Sequence, residues 1–382
     1  SMQAKHFKNF KVSTYIRAQD VARMDDDKFL QSTWETVSSQ VDLDKIYLET
    51  HRDAFTVSEK TLLKVKNFFL SKGLEVGGGI TFTRSEPSDF ETYSYAREEE
   101  RQQVKQISAF TAKYFDDFIL DDFFFIDLKN DDEIAAKGSK SWTEYRLKLM
   151  ADAGRELVMK PAKAVNPKVK VIIKYPNWYD HFHGLGFNLE EGPTYFDGIW
   201  TGTETRDPGS AQHLQNYLSY NIVRYFDNIA PGRNGGGWVD AGGIHMSMDR
   251  YAEQLHLTML SKTPEIILWN YMQLYEVKIT PNMRAEWQSV GGNSFRYDEM
   301  VAPFTKDGKT ITPTTIARFA NVTLHETDKL IGLLGNPVGL ASYKPHHSSG
   351  EDFLQNYLGM IGLPMDMHPK WVNGRQQILL TQ

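Results

Sequence analysis

The stretch Phe118-Ile-Leu-Asp-Asp-Phe-Phe-Phe-Ile-Asp127, FILDDFFFID (118–127), sets the frame for the whole chain. It is an apolar, aromatic run of the kind that forms a buried strand, and it carries two adjacent carboxylates, Asp121 and Asp122. Burying one carboxylate costs several kcal/mol unless it is paired or the site uses it. A strand over 118–124 sends neighbouring side chains to opposite faces. One of the two aspartates is therefore expected to face a polar interior, and the other a packed layer. Loop capping just after a shorter strand is the alternative.

Seven similar runs flank this one. VSTYIRA (12–18), KIYLET (45–50) and LEVGGGITF (74–82) precede it, and VKVIIKYP (169–176), FDGIWTGTE (196–204), GGGWVDA (235–241) and EIILWNY (265–271) follow. Helical patterns alternate with them at 58–73, 97–115, 142–162 and 249–263, with apolar residues three and four apart. The segment at 97–115 opens acidic and closes basic, as the helix dipole favours. Eight strands alternating with helices over this span predict an α/β fold of the (β/α)8 TIM barrel type, occupying 1–300. Beyond it the reading is a connecting segment over 301–328, then the start of a flavodoxin-like α/β domain over 329–382, possibly cut short. In that tail DGKTITPTT (307–315) reads as a loop or hairpin ahead of a helix. KLIGLLGNP (329–337) reads as a buried strand, SSGEDFLQNYLGMIG (348–362) as a helix, and LPMDM and QILLT as short strands.

Composition narrows the partners. The 382 residues carry a net charge of −6 and no basic block, so a nucleic-acid footprint is not expected. No apolar run reaches membrane-spanning length. There are 0 cysteines, which excludes disulfides, thiolate metal sites and a Cys nucleophile. Ser1-Met2 looks like a tag remnant. A periplasmic or secreted location is favoured, the signal peptide being absent from this sequence. The incomplete terminal sheet would leave an edge to cover, so it is expected to pack against the barrel or against a second copy of the chain, giving a homo-oligomer through the C-terminal domain.

In a (β/α)8 enzyme the chemistry gathers at the carboxyl ends of the strands. Among the residues there, Asp121, Asp122 and Glu204 are the candidate catalytic carboxylates. Glu204 stands among small hydroxylic residues that leave room for a ligand; an ion pair with Arg206 or Lys174 is its structural alternative. Lys174 interrupts the apolar VIIKY run and is expected inside the barrel, against a strand-4 or strand-6 carboxylate whose pKa it would lower. Candidate substrate-binding residues are Glu49, His51, Arg84, Lys174, Tyr175, Trp178, Arg206, Trp238, Asp240, Trp269 and Asn270. The tryptophans are suited to stacking on sugar rings. Two carboxylates across an aromatic-lined cleft is what glycoside hydrolysis requires: one attacks or activates water, the other protonates the leaving oxygen. No cofactor is expected. HFH (181–183) follows strand 5 rather than strand 1, so no metal site is assigned to it. The alternatives to a glycosidase are a barrel that binds glycans without cleaving them, or a metal-dependent hydrolase.

On these residues the chain resembles bacterial (β/α)8-barrel glycoside hydrolases, with a layout similar to the α-galactosidase clan of retaining enzymes. That resemblance implies a strand-4 aspartate, Asp121 or Asp122, as nucleophile and Glu204 as acid/base. The clan has Lys two residues before its aspartate, where this chain has Ile119 or Leu120, and its paired aspartates on strand 1 are missing. The tail 333–364 is similar to the amidotransferase-like domain behind the barrel of family-42 β-galactosidases, where it serves assembly. Without Cys, amidotransferase chemistry is excluded here.

Overall fold

The computed structural model describes residues 6–85, 90–178, 182–206, 209–241, 247–284, 296–348, 353–373 and 380–381. All eight runs form strands: Lys11–Ile16, Lys45–Arg52, Glu75–Ile80, Asp117–Leu120, Lys170–Tyr175, Gly198–Gly202, Asn234–Asp240 and Glu265–Trp269, numbered 1 to 8 below. Each pairs parallel with its neighbours, and strand 1 pairs with both strand 2 and strand 8, so the sheet closes into a barrel. Helices Glu59–Ser71, Glu98–Tyr114 and Met248–Leu260 stand where the apolar spacing predicts them. The 142–162 pattern forms Trp142–Ala153, passes through a wider π turn at Gly154–Met159, and resumes over Lys160–Val165.

Alternation along the strands sorts the interior. Tyr15, Tyr47, Ile119, Trp200, Trp238 and Ile267 form one buried cluster in the lumen, with Ile172 and Trp269 against it. Their neighbours in the chain, such as Phe118, Leu120, Val239 and Leu268, pack outward with the helices. The VGGGI strand makes the lumen possible, because a Cβ on Gly79 would collide with the Tyr15 ring. Going one step further along the inward rows, towards the carboxyl ends, gives Arg17, Glu49, Asp121, Lys174 and Asp240, and two steps beyond Trp200, past Gly202, gives Glu204.

Strand 4 ends sooner than its composition predicts. It stops at Leu120, and the chain turns at Asp121 and Asp122. The Asp122 N–H donates to Asp121 Oδ1 at 2.8 Å, a local side-chain bond that competes with continued pairing. Asp122 therefore does not go to the helix layer, as strict alternation would send it.

The C-terminal part also departs from expectation. Residues 329–337 are not a strand: they hold the end of helix Ala317–Ile331 and the turn after it. That helix packs against Met248–Leu260 and Asp27–Gln40, filling the eighth helix position of the ring. The barrel thus continues past residue 300, through the span read as a connector. A hairpin, Phe304–Lys306 with Lys309–Ile311, precedes this helix, as predicted. The tail forms a three-stranded parallel sheet in the order Met365–His368, Leu340–Tyr343, Leu380–Thr381, with helix Phe353–Met360. It is fastened to helix Leu218–Ile229: Arg224 pairs with Asp366 at 3.2 Å, and the Tyr225 hydroxyl donates to the Lys344 carbonyl at 3.1 Å. Among the described residues, no helix is long and apolar enough to cross a membrane.

Candidate active site

The strand ends surround a cavity of about 780 Å³. Asp121, Asp122, Lys174, Trp178, Glu204, Arg206, Trp238, Asp240, Trp269 and Asn270 all line it. Its floor is aromatic. Tyr15, Trp238 and Trp269 lie with ring centroids 5.2–5.4 Å apart. Lys174 Nζ sits 3.9 Å above the Trp238 ring, and the Arg52 guanidinium 5.4 Å above that of Trp269. Trp178 forms part of the wall, its other edges held by Phe125, Phe182 and Phe187.

The adjacent aspartates are held differently. Asp121 is almost fully buried; its Oδ2 accepts from Arg52 Nη2 at 2.8 Å and its Oδ1 from the Asp122 amide. Arg52 is itself clamped by Glu49, with Nε donating to Oε1 at 2.8 Å. Asp122 keeps 18% of its side chain exposed and pairs with Lys174 at 2.9 Å, while Lys174 reaches Asp121 at 3.6 Å. One ammonium is thus shared between two carboxylates. Burial pushes the Asp122 carboxyl up to about 6; Lys174 opposes this, and Asp121 reinforces it. The expectation that the partner of Lys174 would have a lowered pKa is therefore wrong for Asp122, because desolvation outweighs the ion pair.

Glu204 continues the inward row of strand 6. Its carboxyl is pushed up to about 7, first by burial and further by the charges of Asp122 and Asp240; Lys174 and Arg206 act the other way. Its Oε2 is buried without a hydrogen-bond partner among the described residues. Arg206 lies 3.9 Å from Glu204 Oε1 and 3.1 Å from Asp240 Oδ2. Asn177 donates to the Glu204 carbonyl at 2.5 Å and fixes the loop.

Four sequence candidates do not line the cavity. Glu49 points inward but lies one layer deeper, enclosed by Tyr15, Thr81, Arg52 and the Ala18 amide. His51 binds Thr56 at 2.8 Å and Tyr93 at 2.9 Å, and burial lowers its pKa to about 4. Arg84 pairs with Glu91 and Glu100 outside the barrel mouth. Tyr175 points outward and stacks on Phe226 with centroids 5.0 Å apart. In return, Arg17, Arg52, Phe90, Phe123, Asn177 and Gln273 line the cavity without having been singled out. Arg52 was findable in principle. Strand 2 shifts register between Glu49 and His51, and this bulge gives Arg52 the inward place that regular alternation assigns to His51. His181 of the HFH pair lies outside the described residues; the His183 ring faces His347 at 6.4 Å. No group of three His, Asp or Glu suited to a metal ion occurs among the described residues.

The comparisons with known proteins bear on the family and the fold. The model of a family described as the probable glycosyl hydrolase catalytic domain matches residues 1–333, and the chain belongs to that family. The matched span is the (β/α)8 barrel. It is similar to an uncharacterized protein of Saccharolobus solfataricus, 26% identical over 411 residues, covering 98% of this chain and 62% of that protein. The chain thus spans about 62% of the length of this relative. Among solved structures it is similar to the GH5_18 enzyme of Streptomyces cattleya in complex with Manβ1-4GlcNAc, with TM-score 0.58, 10% identity and 94% coverage of both chains. The GH5_18 enzyme of Bifidobacterium longum gives 0.57 and 9%, covering 94% of this chain and 92% of that one. At such identities the likeness concerns the barrel alone.

Proposed function

We propose that the chain hydrolyses the O-glycosidic bonds of an oligo- or polysaccharide with retention of configuration, with Asp122 as nucleophile and Glu204 as acid/base. The observation that carries this reading is the pair of environments around one cavity. Burial raises both carboxyls, but Asp122 has the Lys174 ammonium at 2.9 Å while Glu204 Oε2 is buried without a hydrogen-bond partner among the described residues, so Asp122 is favoured as the charged nucleophile and Glu204 as the protonated acid. Asp122 is preferred over Asp121 because both oxygens of Asp121 already accept hydrogen bonds. Attack at an anomeric carbon needs a lone pair turned to the cavity, and the partly exposed Asp122 offers one. Retention is supported by the strand-4 and strand-6 placement, which is that of the α-galactosidase clan.

In the first step Asp122 attacks the anomeric carbon while Glu204 gives its proton to the departing glycosidic oxygen. A glycosyl ester on Asp122 results. In the second, Glu204, now a carboxylate, takes a proton from water as that water attacks the anomeric carbon. The Asp122 carboxylate leaves and Glu204 regains its proton. Lys174 stabilises the Asp122 carboxylate both before attack and on departure. Trp178, Trp238 and Trp269 present faces and edges to the sugars.

The test is product stereochemistry followed by proton NMR on an aryl glycoside that the enzyme turns over, together with azide rescue. Retained product, and glycosyl azide formation by Asp122→Gly, are expected. Inverted product refutes the mechanism, rescue of Asp121→Gly instead moves the nucleophile, and glycan binding without turnover returns the chain to a binding module.

A further inference from the structure

Arg206 is built into the site with unusual constraint. Its φ is +65°, in the left-handed region that non-glycine residues rarely occupy. Two side chains of helix Met248–Leu260 hold that backbone in place. Gln254 Oε1 accepts the Arg206 N–H at 3.0 Å, and Arg250 Nε donates to the Arg206 carbonyl at 2.8 Å. The result aims the guanidinium between two carboxylates, and it does not treat them alike. Its Nη2 hydrogen-bonds Asp240 Oδ2 at 3.1 Å and stays 3.9 Å from Glu204 Oε1, with no hydrogen bond between them. Glu204 Oε2 meanwhile is buried and unpartnered among the described residues. Asp240 continues the inward row of strand 7, after Trp238, so its place is set by the same alternation that places Glu204.

We propose that Asp240 is a positioning residue which engages the Arg206 guanidinium and withholds it from Glu204. This rests on the reading of Glu204 as general acid. An arginine in full contact with a carboxylate strips its proton at low pH, and a general acid so paired has nothing to donate. By taking the charge, Asp240 leaves Glu204 protonated while keeping Arg206 near enough to compensate the carboxylate once the proton has gone. The charged groups acting on Glu204 from the elements around it are Lys174 of strand 5, Asp122 after strand 4, Asp240 of strand 7 and Arg206 of its own loop. Lys174 is already taken by the two aspartates, so Arg206 is the cation whose allegiance can change.

The experiment is the pH dependence of kcat/KM for wild type, Asp240→Asn, Arg206→Met and the double variant Asp240→Asn/Arg206→Met. It uses phenyl and 2,4-dinitrophenyl glycosides of the sugar the enzyme cleaves. With the phenyl substrate, Asp240→Asn should move the alkaline limb down by about one pH unit, roughly a tenfold loss above the optimum. Asparagine also removes a negative charge near Glu204, which lowers the limb by itself. The Arg206→Met background separates the two causes: if Arg206 is the agent, Asp240→Asn moves the limb much less there than in the wild type; if only the lost charge matters, the shift is the same in both backgrounds. An unmoved limb in Asp240→Asn, or an equal shift in the two backgrounds, overturns the proposal. Asp240→Ser, which also lets go of the guanidinium, serves in the same comparison if Asn folds poorly. The acid role itself is read separately from Glu204→Gln, expected to lose phenyl-glycoside turnover and to keep most dinitrophenyl-glycoside turnover. Equal loss on both substrates refutes that role, whatever the Asp240 variants do.

Discussion

Replacing Lys174 by Met removes the one ammonium that two buried carboxylates share, and the consequence can be worked through. The side chain is 2% exposed and lies 2.9 Å from Asp122 and 3.6 Å from Asp121. Methionine fills similar volume above the Trp238 ring, so the change is chiefly electrostatic. Removing one partner of a buried ion pair costs about 3–5 kcal/mol. Asp122 avoids much of this by remaining protonated, and about 3 kcal/mol corresponds to roughly two pKa units. Its titration starts from about 6 in the native protein. Near pH ~6.5 Asp122 is then about three-quarters charged in the wild type but only about 3% charged in the variant. A loss of about 25-fold in kcat/KM follows at that pH from protonation alone, before any loss of transition-state stabilisation. The acidic limb should move up by about two units, so part of the activity returns in alkaline buffer with a dinitrophenyl glycoside, which needs no acid to leave. Initial rates across pH measure this directly, with circular dichroism confirming the fold. A variant whose acidic limb stays at the native position, or whose loss is the same at every pH, refutes the view that Lys174 sets the charge of Asp122.

Glu204→Gln should stabilise the protein in alkaline buffer. Burial raises the folded carboxyl to about 7 against 4.5 for an ordinary glutamate, so folding binds the proton more tightly. Stability therefore falls as pH rises from 4.5 to about 7 and is level above, by an amount of up to ~3 kcal/mol that Gln abolishes. Urea unfolding near pH ~8 and near pH ~4 should show a gain only at the higher pH. Arg52→Leu leaves Glu49 buried without its cation and Asp121 with only the shared Lys174, and should cost about 3–5 kcal/mol in the same assay; a near-neutral effect would show that the two carboxylates find protons or water instead. Tyr175→Phe should leave kcat/KM within about twofold of wild type, because Tyr175 packs on Phe226 outside the cavity. A tenfold loss would place it in the site after all.

The barrel was legible because its evidence is redundant. Eight runs of β-branched and aromatic residues, each bounded by turn chemistry, give the strand count even when every boundary is off by a residue or two. Two helices were harder to read, for different reasons. Leu218–Ile229, YNIVRYF in its middle, is β-branched and aromatic, and its helical state comes from packing rather than propensity. Ala317–Ile331 buries Thr323, Thr327 and Asp328 beside its apolar residues, which blurs the hydrophobic stripe. Its last turn, KLIGLL, then reads as a strand when taken by itself. The Asp328 carboxylate accepts the backbone amides of Lys8 and Asn9, a tertiary contact that no local pattern contains.

The site was legible to the extent that alternation is regular, and its failures mark where alternation breaks. Strands 5, 6 and 8 keep their period, strand 7 keeps it beyond a register shift at Asn234–Gly236, and Lys174, Glu204, Asp240 and Trp269 appear in the cavity as the inward rows require. Strand 2 has a bulge, so Arg52 rather than His51 reaches the cavity. Strand 4 stops early, so both members of the Asp-Asp pair turn into one space. A hydrophobic strand can carry two adjacent carboxylates because it ends there and hands them different duties. Asp121, locked by Arg52 and a backbone amide, completes a buried network with Glu49 and Thr81. Asp122 is left facing the cavity with Lys174 beside it. Had the strand continued, alternation would have buried Asp122 among the helices. Early termination costs a little sheet pairing, and it is what brings a second carboxylate to the cavity.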